Sequence, residues 1–74
     1  MNQTEAGRIA VSSSLISSIA YSPQATLEVE FRSGEIYRYF LVPAKIFEEL
    51  LAAPSKGVYF NRRVRPVFRS ERVE

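Results

Sequence analysis

Residues 26–32 alternate without a break: Leu27, Val29 and Phe31 fall on one side, Glu28, Glu30 and Arg32 on the other. That period of two predicts a half-buried strand. Ser33-Gly34 then interrupts the pattern, and residues 35–42 are rich in aromatic and aliphatic β-formers, so the two segments read as a hairpin closed by a tight loop. With a loop of two or four residues Phe31 stands opposite Ile36. Leu27, Val29, Phe31, Ile36, Phe40 and Val42 then share one face, and Glu28, Glu30, Tyr37, Tyr39 and Leu41 the other. That register leaves Arg38 among apolar side chains, whereas a bulge or a three-residue loop exchanges the faces of the second strand.

Upstream, Ile9, Ala10 and Val11 form a short extended piece, and the serine run from Ser12 to Ser14 reads as a turn before Leu15 and Ile16. Ile19, Ala20 and Tyr21 make a second extended stretch that stops at Ser22-Pro23-Gln24-Ala25, where proline fixes φ and removes a donor. Downstream, Pro43 suits the first turn of a helix. Ile46, Phe47, Leu50 and Leu51 then fall on one face and Lys45, Glu48 and Glu49 on the other, which predicts an amphipathic helix over residues 44–53, ended by Pro54. Ser55 can cap a second helix that stops before Pro66, although Gly57 weakens it by roughly 1 kcal/mol relative to alanine. Residues 67–74 read as a short strand or an anchored tail. The fold class expected is α+β: an antiparallel three- to four-stranded β-meander followed by one or two short helices packed on one face, with the helix from Pro43 as the main cover. Residues 1–8 are expected to be a flexible lead-in and residues 9–74 a single domain.

Composition narrows the chemistry. The chain has 74 residues, 46% of them hydrophobic, with no cysteine and no histidine. That combination removes thiol nucleophiles, Ser-His-Asp triads, zinc sites of the usual ligands and a neutral-pH imidazole. A carboxylate pair or a depressed-pKa lysine, Lys45 or Lys56, is the remaining catalytic route; no enzyme, cofactor or metal is expected. The N-terminus lacks a basic start followed by an apolar block, and no apolar run approaches the ~20 residues that span a bilayer. A cytoplasmic location and no membrane partner are expected.

Charge is unevenly placed. Residues 1–30 carry one arginine and three glutamates, residues 31–50 three charges of each sign, and residues 51–74 carry Lys56, Arg62, Arg63, Arg65, Arg69 and Arg72 against Glu71 and Glu74. Arginine forks onto phosphate oxygens, and Tyr59 and Phe60 lie beside this run, as in grooves that hold single-stranded nucleic acid. The same run also reads as a solvated helix face with Tyr59 and Phe60 in the core. Tyr37 and Tyr39, two residues apart, share a strand face and either stack on successive bases or pack as sheet tyrosines. Their expected cross-strand neighbours, Glu28 and Glu30, would repel phosphate.

Ser-Ser-Ser-Leu-Ile-Ser-Ser-Ile-Ala-Tyr (12–21), the stretch 27–39 with its Tyr-x-Tyr, Val-Pro (42–43) and Ser-Lys-Gly-Val-Tyr-Phe-Asn (55–61) together resemble the KTSC domain, a short module named for the C-terminus of some lysyl-tRNA synthetases. The resemblance runs from about Ile9 to Val73. Pro54 before the Ser-Lys-Gly, and Pro66 with Phe68 near the end, depart from the pattern. For this family RNA binding has been suggested. Carried over, the motif positions are Tyr37, Tyr39, Ser55, Lys56, Gly57, Tyr59, Phe60 and Asn61. The function expected is a non-catalytic module that binds nucleic acid, RNA rather than DNA. Its contacts would be Lys56, Arg62, Arg63, Arg65 and Arg69 with Tyr37, Tyr39, Tyr59 and Asn61, and Ser55-Lys56-Gly57 would form a phosphate seat at a helix N-terminus. The alternative is a protein-interaction or self-associating adaptor, a homodimer included, that docks through the sheet.

Overall fold

The computed structural model describes residues 8–73. Five antiparallel strands, β1 (Ile9–Ala10), β2 (Ile16–Ser22), β3 (Thr26–Phe31), β4 (Ile36–Tyr39) and β5 (Ser70–Arg72), lie side by side in chain order. Helices α1 (Ala44–Ala52) and α2 (Lys56–Arg63) fall between β4 and β5 and cover one face. The α+β class therefore stands, with one strand more than the meander expected and with residues 70–72 forming a strand. Of the expected lead-in, residues 1–7 lie outside the described residues. Arg8, just before β1, donates its guanidinium to Ser18 Oγ at 2.9 Å and pairs with Glu28.

Both central hairpins close through three residues. Pro23, Gln24 and Ala25 join Ser22 to its partner Thr26, and Arg32, Ser33 and Gly34 join Phe31 to Glu35, whose carbonyl accepts from Phe31 N–H at 2.9 Å. The last residue of each loop is left-handed, Ala25 at φ 59 and Gly34 at φ 101, as a type I turn ending in a bulge requires. This corrects the two- or four-residue register. Tyr37 stands opposite Val29 and Tyr39 opposite Leu27, so both tyrosines join the apolar face, while Ile36, Arg38 and Phe40 turn to the other. Arg38 leaves the core and meets Glu28 Oε2 at 3.2 Å.

The serine run forms the expected turn: Ser13 Oγ accepts from Leu15 N–H and Ile16 N–H. A register shift between Ile16 and Ser18 then lets both Ile16 and Ile19 face the core. Pro43 is the N-cap of α1, which starts at Ala44 as the pattern predicts. Leu50 from α1 is fully buried, and Phe47 stacks on Tyr21 with ring centroids 4.9 Å apart. α2 adds to this cover. Phe60 and Val64 are fully buried, and the Phe60 ring meets Phe31 and Tyr39 edge-on at 5.4 and 5.3 Å. Leu41, between β4 and α1, is 80% exposed yet left-handed at φ 57, a conformation that costs a non-glycine residue about 1 kcal/mol or more.

Candidate functional site

The cations of the last third are not equivalent. Ser55 Oγ accepts from Val58 N–H at 3.3 Å and starts α2. Lys56 turns back and donates its ammonium to Ala53 O at 2.8 Å, closing the C-terminal end of α1. A Cβ on Gly57 would meet Leu15 Cβ at 3.5 Å, so the open side of this glycine faces the protein's own loop. In this arrangement Ser55, Lys56 and Gly57 start the helix, tie it to α1 and set it against the β1–β2 loop.

The last turn of α2 carries Arg62 and Arg63, where positive charge also complements the helix dipole. Both are exposed. The Arg63 guanidinium lies 5.8 Å from the centre of the Tyr59 ring, and Tyr59 OH donates to Glu49 Oε1 at 2.6 Å, which fixes that ring. Burial, then the bond to Glu49, raises the Tyr59 pKa above its ordinary 10.0. Pro54, Val58, Tyr59, Arg62 and Arg63 line one shallow depression with an apolar floor. Asn61 is exposed on the same helix.

Arg65 sits around the corner. Its guanidinium lies 5.1 Å from the Phe60 ring centre and 5.8 Å from that of Phe31, and its charge acts on the Tyr39 hydroxyl. A groove there is lined by Ser14, Arg32, Tyr37, Arg65 and Ser70, among others. Tyr39 is only 4% exposed and offers no ring face to a base; Tyr37 is half-buried at the groove wall. The glutamates expected beside these tyrosines stand instead on the uncovered face, which removes the expected repulsion. Arg32 was not among the expected contacts. Its Nε donates to Ser13 O at 2.8 Å, and only the three-residue loop brings it to the groove. Arg69 lies in register with Phe40, on the uncovered face and apart from Arg65. Among the described residues the ion pairs join Arg8 and Arg38 to Glu28, Lys45 to Glu49 and Arg72 to Glu35. Arg62, Arg63, Arg65 and Arg69 have no carboxylate partner among those residues.

Burial raises the Tyr39 pKa above 10.0, against the lowering pull of Arg65. The unfolded chain then gives up the Tyr39 proton before the native one does, so stability present below pH 10 falls as pH rises through the native pKa. Urea melts of the wild type should lose stability as the pH rises above about 10, and Tyr39→Phe should flatten that loss. An equal slope in both proteins would mean that other groups cause it.

Among the described residues no helix is long and apolar enough to cross a membrane. The family model of the KTSC domain matches residues 12–68. A protein of Stutzerimonas stutzeri (strain A1501), described as uncharacterized, is 47% identical over 60 residues, which is 80% of this chain and 84% of that one. The lysine–tRNA ligase of Nostoc sp. (strain PCC 7120) is 46% identical over 61 residues, 81% of this chain but 11% of the ligase. The crystal structure of a KTSC domain protein from Yersinia pestis superposes with a TM-score of 0.88 at 35% identity, covering 90% of this chain and 96% of that one.

Proposed function

The chain belongs to the KTSC domain family, and from that footing we propose that it is a small non-catalytic module that binds RNA through Arg62, Arg63 and Arg65. One observation carries the reading: these three exposed arginines, Arg62 and Arg63 beside Tyr59 and Arg65 in the groove with Tyr37, have no carboxylate partners among the described residues. Such groups are free to neutralise phosphates, and a ring held beside a guanidinium is ready to stack. Arg32 extends the set on the other wall of the groove. RNA is preferred over DNA because relatives of this domain occur within lysine–tRNA ligases.

Fluorescence anisotropy with labelled single-stranded RNA, tRNA and duplex DNA tests it. Three phosphate contacts on a single strand imply a log-log salt slope of about −2, so affinity should fall roughly twentyfold between ~50 and ~200 mM salt. Flat titrations at the lower salt, or an affinity indifferent to salt, would sink the reading.

A further inference from the structure

The sheet ends on β5, and the outer side of that strand carries a matched set of groups. Phe40 N–H donates to Arg69 O at 3.0 Å and Val73 N–H to Ile36 O at 2.7 Å. These bonds fix the alternation: residues 69, 71 and 73 turn their peptide groups to β4, and Ser70 turns its N–H and C=O to the open edge. A depression beside it is lined by Phe40, Leu41, Val67, Phe68, Arg69 and Glu71, with Ser70. Leu41 and Val67 are 80% and 63% exposed there, and Leu41 accepts a left-handed backbone although its side chain packs little. Among the described residues neither Arg69 nor Glu71 makes an ion pair.

We propose that a second copy of this chain docks edge to edge on β5, antiparallel, with Ser70 opposite Ser70 of the second copy. In that register Arg69 stands directly opposite Glu71 of the second copy and Glu71 opposite its Arg69, both in the closely spaced, non-hydrogen-bonded kind of pair. The pleat permits only registers that match outward-facing residues. Ser70 against Arg72 would set Glu71 against Glu71, and Arg72 against Arg72 would oppose two guanidiniums, so charge selects the register centred on Ser70. A short, charged edge strand ordinarily blocks pairing. Here the order Arg69-Ser70-Glu71 is complementary to itself when reversed. A two-fold axis through Ser70 and perpendicular to the sheet keeps the helices of both copies on one side. Docking does not depend on nucleic-acid binding.

Sedimentation velocity over a concentration series up to about 1 mM, the range a weak dimer requires, tests this with charge-swapped chains. The wild type should pass from one chain to two. Arg69→Glu opposes four acidic groups across the edge and Glu71→Arg four basic ones, so each alone should stay a single chain at the same concentration. An equimolar mixture of the two variants should sediment as a dimer again, because an all-acidic edge then meets an all-basic one. Circular dichroism melts equal to wild type establish that both variants fold. A wild type that remains a single chain throughout, an Arg69→Glu protein that dimerises as well as wild type, or a mixture that fails to associate would each overturn the proposal.

Discussion

Phe60→Ala should remove about 3–5 kcal/mol of stability and leave much of the protein unfolded under ordinary conditions. The ring is fully buried, touches Phe31 and Tyr39 edge-on, and carries the Arg65 guanidinium on its outer side. Truncation therefore opens a cavity where α2 meets the sheet and also takes away the platform of a proposed contact residue. A domain of 74 residues has only about 4–11 kcal/mol of stability in total, so the loss is a large share of it. Urea melts followed by circular dichroism read the effect directly. A drop below about 1 kcal/mol would mean that the helix layer rests on α1 and Leu50 instead.

The second large effect separates binding from folding. Arg62→Gln together with Arg63→Gln should weaken RNA binding by roughly thirtyfold or more at low salt, since each lost charge-assisted contact is worth at least about 1 kcal/mol. Both side chains are exposed and neither meets a carboxylate among the described residues, so the protein should stay folded, its melting temperature lowered by only several degrees through the lost helix-dipole and Tyr59 contacts. Arg65 is left in place deliberately. It lies against Phe31 and Phe60 and its charge acts on Tyr39, so its replacement would perturb the fold and the surface together.

Alternation along residues 27–31 and the caps around Pro43, Pro54 and Ser55 made β3 and both helices legible, because period and termini are local properties of the chain. The register of β4 was not. Its side-chain pattern is the same for either face, and only the number of loop residues decides which face is buried. Arg38, stranded among apolar neighbours in one register and paired with Glu28 in the other, was the clue that pointed to the three-residue loop. β5 offers no apolar pattern, being Ser70-Glu71-Arg72 with every residue exposed; main-chain pairing to β4 alone makes it a strand. The start of β2 was hidden by the shift between Ile16 and Ser18.

Charge counting found the arginines of the candidate site, yet a count cannot say which charges are already engaged. Lys56 is held by Ala53 O and Arg72 by Glu35, while Arg69 stands on the other face of the sheet. Tyr39 left the set of possible stacking residues once its strand turned inward, and Arg32 entered the groove for the same reason. Three-dimensional pairing, which depends on one loop residue more or less, decides each of these cases.

The account stands most directly on the salt dependence of RNA affinity measured side by side for the wild type and the Arg62→Gln/Arg63→Gln protein. Loss of two phosphate contacts should lower the log-log slope by about 1.4 on a single strand, in a protein that circular dichroism shows to be folded. Equal slopes in the two proteins would contradict it, because the arginines at the end of α2 would then touch no phosphate.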